Sequence, residues 1–191
     1  MSYVKTISEL VAESIATKQN FLRNEAMLEK VSLAAESIVK ALRSGNKVIT
    51  FGNGGSASDS QHLAAELIVR FEKERKALPC ISLNDNPANI SAAGNDYDFK
   101  KIFSRQLEAL LAAGDVVVAI STSGTSPNII EAVNTARTKG AVVIALSGKG
   151  GGTLKDIANI SIIVDSKITA RIQETHIMII HILCKIIDSE F

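Results

Sequence analysis

Lys47-Val48-Ile49-Thr50-Phe51-Gly52-Asn53-Gly54-Gly55-Ser56 joins an apolar, β-branched run to a glycine-rich turn. Such a run reads as a buried strand, and the turn after it as the entry to a helix. The alternation returns at Cys80–Leu83, Val116–Ile120, Val142–Leu146 and Ile160–Val164. Near-continuous apolar strands separated by helical patterns imply a parallel sheet covered on both faces. The expected fold class is therefore α/β: a five-stranded parallel sheet flanked by helices, with right-handed crossovers.

Outward from these strands the chain changes character. All 12 Gly and 3 Pro lie between Gly45 and Gly152, so both ends are free to be helical. Apolar residues recur at helical spacing at Val4, Ile7, Val11 and Ile15, and again at Leu28, Val31, Ala35, Ile38 and Leu42. This predicts two helices with a break near Gln19-Asn20. Thr169 to Asp188 reads as one long C-terminal helix. There is no internal repeat, low-complexity tract or composition shift. Residues 1–191 are thus expected to form a single domain, with 1–44 as an N-terminal helical extension.

Composition narrows the function classes. The net charge is +1 and aromatics are 4% with no Trp. That leaves no electrostatic or stacking case for a nucleic acid, and no basic surface for an anionic membrane. The longest apolar runs fall far short of the roughly 18 to 20 residues needed to span a bilayer. Met1–Lys5 is soon followed by Glu9 and Glu13 with no apolar h-region, so no signal peptide is expected. Cys80 and Cys184 are far apart and read as lone buried thiols, which suits a reducing cytoplasm.

Ligands of such sheets bind outside the carboxyl ends of the strands. The first strand-end loop, Gly52-Asn53-Gly54-Gly55-Ser56, lets the backbone approach a ligand, and Ser56 can cap a helix whose free N–H groups favour an anion. Taken alone, it reads equally as a tight strand-to-helix connection. It is neither G-x-G-x-x-G nor G-x-x-x-x-G-K-[ST], which disfavours a dinucleotide or a Walker-type nucleotide. The second loop, Ser121-Thr122-Ser123-Gly124-Thr125-Ser126-Pro127, carries five hydroxyls in six residues before a helix-starting proline. Hydroxyls and helix N–H groups can hold a phosphate monoester without Lys or Arg. Two such loops on one sheet edge strengthen that reading.

His62 and Glu66 lie four apart on the helix after the first loop, and so face the same way. The C-terminal helix carries Gln173, Glu174, His176 and His181. Imidazole with carboxylate can bind a divalent metal or shuttle protons. A solvated pair at His62 and Glu66 and a buried, satisfied ring at His181 are the alternatives; His176 reads as structural.

Together, Gly52-Asn53-Gly54-Gly55-Ser56, Gln61-His62 with Glu66, Gly94-Asn95-Asp96, Ile120-Ser121-Thr122-Ser123-Gly124 and Arg171-Ile172-Gln173-Glu174 with His181 closely resemble the sugar isomerase (SIS) domain family. More narrowly, these motifs look like those of the phosphoheptose isomerases. The likeness covers nearly the whole chain, N-terminal helices included. It implies a flavodoxin-like three-layer sandwich and conversion of sedoheptulose 7-phosphate to D-glycero-D-manno-heptose 7-phosphate. That step feeds heptose precursors to lipopolysaccharide or other surface sugars. The resemblance further implies one zinc per subunit, held by His62, Glu66, Gln173 and His181, and a cytoplasmic homotetramer with sites at subunit interfaces. Substrate contacts would come from Asn53, Gly54, Gly55, Ser56, Glu66, Asn95, Asp96, Ser121, Thr122, Ser123, Ser126 and Gln173. The rival within the family is a non-catalytic relative that binds the bacterial replication initiator; it lacks the carboxylate and the last histidine, both present here as Glu66 and His181. The rival of another class is a sugar-phosphate sensor, which usually carries an added DNA-binding region.

Ketose–aldose exchange needs a base near neutral pH and a second acid/base on the neighbouring carbon. Glu66 is the candidate base and His181 its partner. On a straight helix, Gln173 and His181 lie about 12 Å apart along the axis and about 80° apart around it. The expectation is that Gln173 and Glu66 of one subunit meet His181 of a neighbour. A bent helix that lets one chain supply both is the alternative.

Overall fold

A computed structural model describes residues 2–191. Helices α1 (Val4–Leu22) and α2 (Glu25–Arg43) lead into β1 (Val48–Gly52), α3 (Gly55–Ile68) and β2 (Cys80–Ser82). Then come α4 (Pro87–Asp96), a 3₁₀ turn at Phe99–Lys101, α5 (Ser104–Leu110), β3 (Val116–Ser121) and α6 (Pro127–Thr138). The chain finishes with β4 (Val142–Gly148), α7 (Leu154–Ile157), β5 (Ile160–Val164) and α8 (Thr169–Glu190). All five expected strands are present, the fifth with the expected bounds and the others with one or both ends moved by one or two residues; the terminal helix runs on to Glu190.

The first two helices part at Arg23-Asn24, not at Gln19-Asn20, which lie inside α1. Capping decides the break. The Asn24 side chain accepts a hydrogen bond from Met27 N at 3.2 Å and so satisfies a free donor of α2. Glu25 in the first turn and Lys40 and Arg43 in the last complement the dipole of α2.

The sheet is parallel throughout, in the order β2-β1-β3-β4-β5. After β1 the chain adds β2 on one side, then returns to place β3 on the other, with Val48 opposite Val116 and Gly52 opposite Ile120. The strand order reverses there, so a crevice opens between the carboxyl ends of β1 and β3.

Both faces of the sheet are buried, which is why the strands read as unbroken apolar runs. Val116, Val118 and Ile120 pack with Ile38 of α2, Leu63 of α3 and Ile180 of α8. Val117 and Ala119 face the other way, onto Leu107 of α5 and Val133 of α6. Helices α3 and α8 therefore share one face. The stripe on α1 behaves differently: Val4, Ile7, Leu10, Val11 and Ile15 are all more than half exposed. Among the described residues, no helix is long and apolar enough to cross a membrane.

His176 ties α8 to the sheet. Its ring is wholly buried, Nε2 lies 3.1 Å from the Ser147 carbonyl, and Nδ1 has no partner among the described residues. Burial pulls its pKa down to about 4, against the bond to Ser147. Between pH 6.5 and 4 the unfolded chain therefore binds a proton that the folded chain refuses. Stability is full above about 6.5 and falls with pH through that window, by about 3 kcal/mol in all. Urea unfolding at pH 7 and pH 4 should show wild type losing about that much more than His176→Gln, even though the variant starts less stable. Equal losses would mean that the ring is not held neutral.

Candidate active site

The crevice is walled by the two strand-end loops. Across it, Asn53 and Asn128 exchange reciprocal amide hydrogen bonds of 2.9 and 2.8 Å. Asn84, after β2, does the same for the end of β1: it accepts from Gly52 N at 3.1 Å and donates to Gly52 O at 3.0 Å. Ser60 of α3 donates to Asn84 Oδ1 at 2.8 Å. These bonds fix where β1 ends and where α3 begins.

Gly54, not Ser56, stands at the N-cap of α3, with φ +56° and ψ −123°. That conformation suits glycine and strains other residues. Ser56 is buried inside the first turn and caps nothing. In the second loop Gly124 has φ +67°, and an added Cβ would stand 1.9 Å from the Gly151 carbonyl. The loop after β4 thus packs directly on the hydroxyl loop, and Leu154 N donates to Gly124 O at 3.0 Å.

Neither α3 nor α6 has a side-chain cap or an acidic residue in its first turn. Both present uncompensated N-terminal dipole to the crevice, where an anion would be favoured. Ser121 Oγ lies 3.4 Å from Ser126 Oγ. Ser123 Oγ is held by Thr125, whose backbone N–H donates to it at 3.2 Å. Asn53, Ser126 and Asn128 line a hollow of about 340 Å³ together with Asp98, Phe99 and Lys100. The sequence pattern did not single out these last three, or Asn84 and Asn128.

Farther along α3, His62 Nε2 lies 3.2 Å from Glu66 Oε1 and 3.0 Å from His181 Nε2. The Phe71 ring packs on His181 with centroids 5.5 Å apart. One chain therefore supplies His62, Glu66 and His181, and His181 need not come from a neighbour. The expectation that it would is corrected: α3 and α8 pack on the same face of the sheet and bring the rings together. Asp59, one turn before His62, keeps Oδ2 buried without a partner among the described residues. Burial raises its pKa to about 6, while His62 pulls it back. Only its i, i+3 spacing to His62 marks Asp59 in the sequence.

Gln173 lies elsewhere. Its amide packs on the glycine-rich loop after β1, so closely that a Cβ on Gly55 would stand 2.3 Å from its Nε2. On the unbroken helix α8 it remains about 12 Å from His181 along the axis. Asn95 and Asp96 are exposed at the end of α4 and bonded to each other at 2.8 Å. Asp96 lines a different hollow, with Arg105 and Gln106 between α4 and α5.

The donor chemistry of His62, Glu66 and His181 fits a divalent cation. The single proton that a neutral His62 can carry on Nε2 cannot make full hydrogen bonds to both neighbours. Tetrahedral ligands about 2.1 Å from zinc stand about 3.4 Å apart, a few tenths of an ångström wider than these contacts. As they stand, no group of three His, Cys, Asp or Glu side chains among the described residues has the spacing of a metal shell.

Comparison with known proteins places this architecture. The SIS domain family matches residues 3–148. The phosphoheptose isomerase of Geobacter sp. (strain M21) is 52% identical over 160 residues, 84% of this chain and 83% of the relative. That of Campylobacter concisus is 46% identical over 176 residues, 92% and 93% of the two chains. The solved phosphoheptose isomerase from Neisseria gonorrhoeae superposes with a TM-score of 0.92 at 40% identity, over 98% of this chain and all of that one. The crevice, the two anion-facing loops and the His–Glu–His cluster thus belong to a chain that is a member of the SIS domain family and, within it, of the phosphoheptose isomerases.

Proposed function

We propose that this enzyme interconverts sedoheptulose 7-phosphate and D-glycero-D-manno-heptose 7-phosphate through an enediol. The observation that carries the reading is one helix, α3, that begins at an anion-facing loop and presents His62 and Glu66 farther along to His181. Gly55 and His62 are seven residues apart, about 10 Å along the axis. An extended seven-carbon chain with its phosphate spans about the same length, at roughly 1.3 Å per carbon. A triose phosphate would be too short to reach both ends. The product's place is in heptose precursor supply for lipopolysaccharide or other surface sugars.

The phosphate sits between the N-termini of α3 and α6, among Ser121, Thr122, Ser123, Ser126 and the Gly54-Gly55-Ser56 turn. Asn53 and Gln173 orient the sugar. Glu66 removes the proton from carbon 1, and the freed electron pair forms the carbon 1–carbon 2 double bond as oxygen 2 gains a proton. His181 delivers a proton to carbon 2 while oxygen 1 loses its own, and the aldehyde forms. His62, Glu66 and His181 would hold zinc, one per subunit, which when bound polarises a carbonyl oxygen.

The assembly we propose is a cytoplasmic homotetramer. The exposed apolar stripe of α1 favours association, and the buried free thiols Cys80 and Cys184 suit a reducing compartment. For Gln173 to join the metal shell as a fourth ligand, it must come from a neighbouring chain. Asn95 and Asp96, exposed on α4, would likewise meet substrate across an interface.

Three outcomes follow. Glu66→Gln should stay folded and lose on the order of 10² to 10⁴ in kcat, read by NMR of products from sedoheptulose 7-phosphate; near wild-type turnover would remove Glu66 as the base. Gly55→Ala suits the helical backbone but displaces the Gln173 amide. Its Tm should hold while KM rises by up to about tenfold, the worth of one hydrogen bond to a sugar hydroxyl; an unchanged KM would separate Gln173 from substrate. Refolding Glu66→Gln together with His181→Ala into mixed oligomers should not recover activity, because one chain supplies both groups. Recovered activity would return His181 to a neighbouring chain.

A further inference from the structure

Arg75 and Asp188 form an ion pair outside the crevice and outside the His–Glu–His cluster. Their side chains are only 1% and 4% exposed, and Arg75 Nε donates to Asp188 Oδ1 at 2.7 Å. The rest of the guanidinium faces the end of α3: Nη2 donates to Glu66 O at 2.8 Å and Nη1 to Leu67 O at 2.9 Å. These are last-turn carbonyls, which a helix cannot satisfy internally. The remaining Asp188 oxygen accepts from Glu72 N at 2.8 Å and Lys73 N at 3.0 Å. Burial works against the Asp188 charge, but the bonds from Lys73, Glu72 and Arg75 prevail and hold its pKa below the ordinary value.

The bonds converge on three parts of the site. Glu66 lies two residues before the end of α3. Asp188 lies two helical turns beyond His181 on α8. Phe71, whose ring packs on His181, adjoins the Glu72–Lys73 amides that Asp188 holds. A frayed last turn of α3 would let the Glu66 backbone drift relative to His181.

We propose that Arg75 and Asp188 are positioning residues that set the separation of Glu66 from His181 by locking the end of α3, the following loop and α8 together. The inference rests on the isomerase reading for its catalytic consequence, though not for its geometry. Lysine at position 75 keeps the charge but loses the fork that reaches two carbonyls and a carboxylate at once. Misplacement by about 1 Å of a group in the reaction can cost on the order of 10²-fold in rate.

The test compares wild type with Arg75→Lys and with the milder Asp188→Asn. Asp115→Asn serves as a control at a second buried pair, at the starts of β1 and β3, where Asp115 accepts from Lys47 Nζ at 2.6 Å without touching α3 or α8. Per folded protein, both clamp variants should lose about 10- to 100-fold in kcat on sedoheptulose 7-phosphate, with KM within about twofold because the phosphate loops lie elsewhere. Asp115→Asn should lose stability and keep kcat. The chain has three histidines, so ring NMR signals can be assigned by single substitutions. Those of His62 and His181 should move in the clamp variants and that of His176 should not. Wild-type kcat in both folded clamp variants, or unmoved His62 and His181 signals, overturns the proposal. An inactive wild type would instead sink the isomerase reading, and the ring signals would still decide the clamp.

Discussion

Helix α3 starts where β1 stops and lies along α8 on the same face of the sheet, and the site depends on that one packing arrangement. Leu63 and Leu67 of α3 and Ile180, Leu183 and Cys184 of α8 enter the same buried cluster. Their burial holds the two helices face to face. His62 and Glu66 on one helix and His181 on the other stand at the seam. The start of α3 is set separately, by the end of β1 and by the bonds of Asn84 to Gly52. The anion-facing turn and the His–Glu–His cluster are therefore two ends of one rigid element, and their spacing is a property of helix geometry rather than of loops.

The crevice handles charge in an economical way. Two helix N-termini without acidic residues or side-chain caps point into it, and serine and threonine hydroxyls supply further donors. Such donors cost little reorganisation when a phosphate arrives, because the backbone already holds them. Lys100 adds a cation at the rim of the same hollow, where it is shared with Glu131 at 3.5 Å. The proposed catalytic groups stand apart from this positive end, so an anion can be bound there without suppressing the carboxylate chemistry of Glu66.

What could be read from the sequence was local. The five strands stood out because both faces of a parallel sheet are apolar, and the strand-end loops because glycine, serine and threonine crowd into short turns. His62 and Glu66 announce themselves at helical spacing. Gln19-Asn20 looks as polar as Arg23-Asn24, and only the bond from Met27 to Asn24 sets the helix break at the latter. His181 meets His62 across 119 residues and Arg75 meets Asp188 across 113. No periodicity reports contacts at that range. The stripe on α1 marks a helix correctly, but it does not say that this face remains uncovered within one chain.

The Arg75–Asp188 pair also bears on why a charged contact stands where an apolar one would be simpler. A buried ion pair is a weak source of stability, since desolvation offsets most of its Coulomb gain, and well-packed hydrophobic replacements are often neutral or better. Removing one partner, by contrast, strands a charge and costs about 3 to 5 kcal/mol. An apolar contact at the end of α3 would hold the helices together without fixing their rotation, because leucine and isoleucine faces tolerate small slips. A planar guanidinium bound to the carbonyls of Glu66, Leu67 and Lys76 and to a carboxylate does not tolerate them: each bond has a direction, and all must be met together. Lys47–Asp115, at the starts of β1 and β3, has a lysine in the corresponding place, with a single Nζ contact to the carboxylate, and no proposed catalytic group depends on it. The forked cation stands on the backbone of Glu66 itself, where a few tenths of an ångström alter the chemistry.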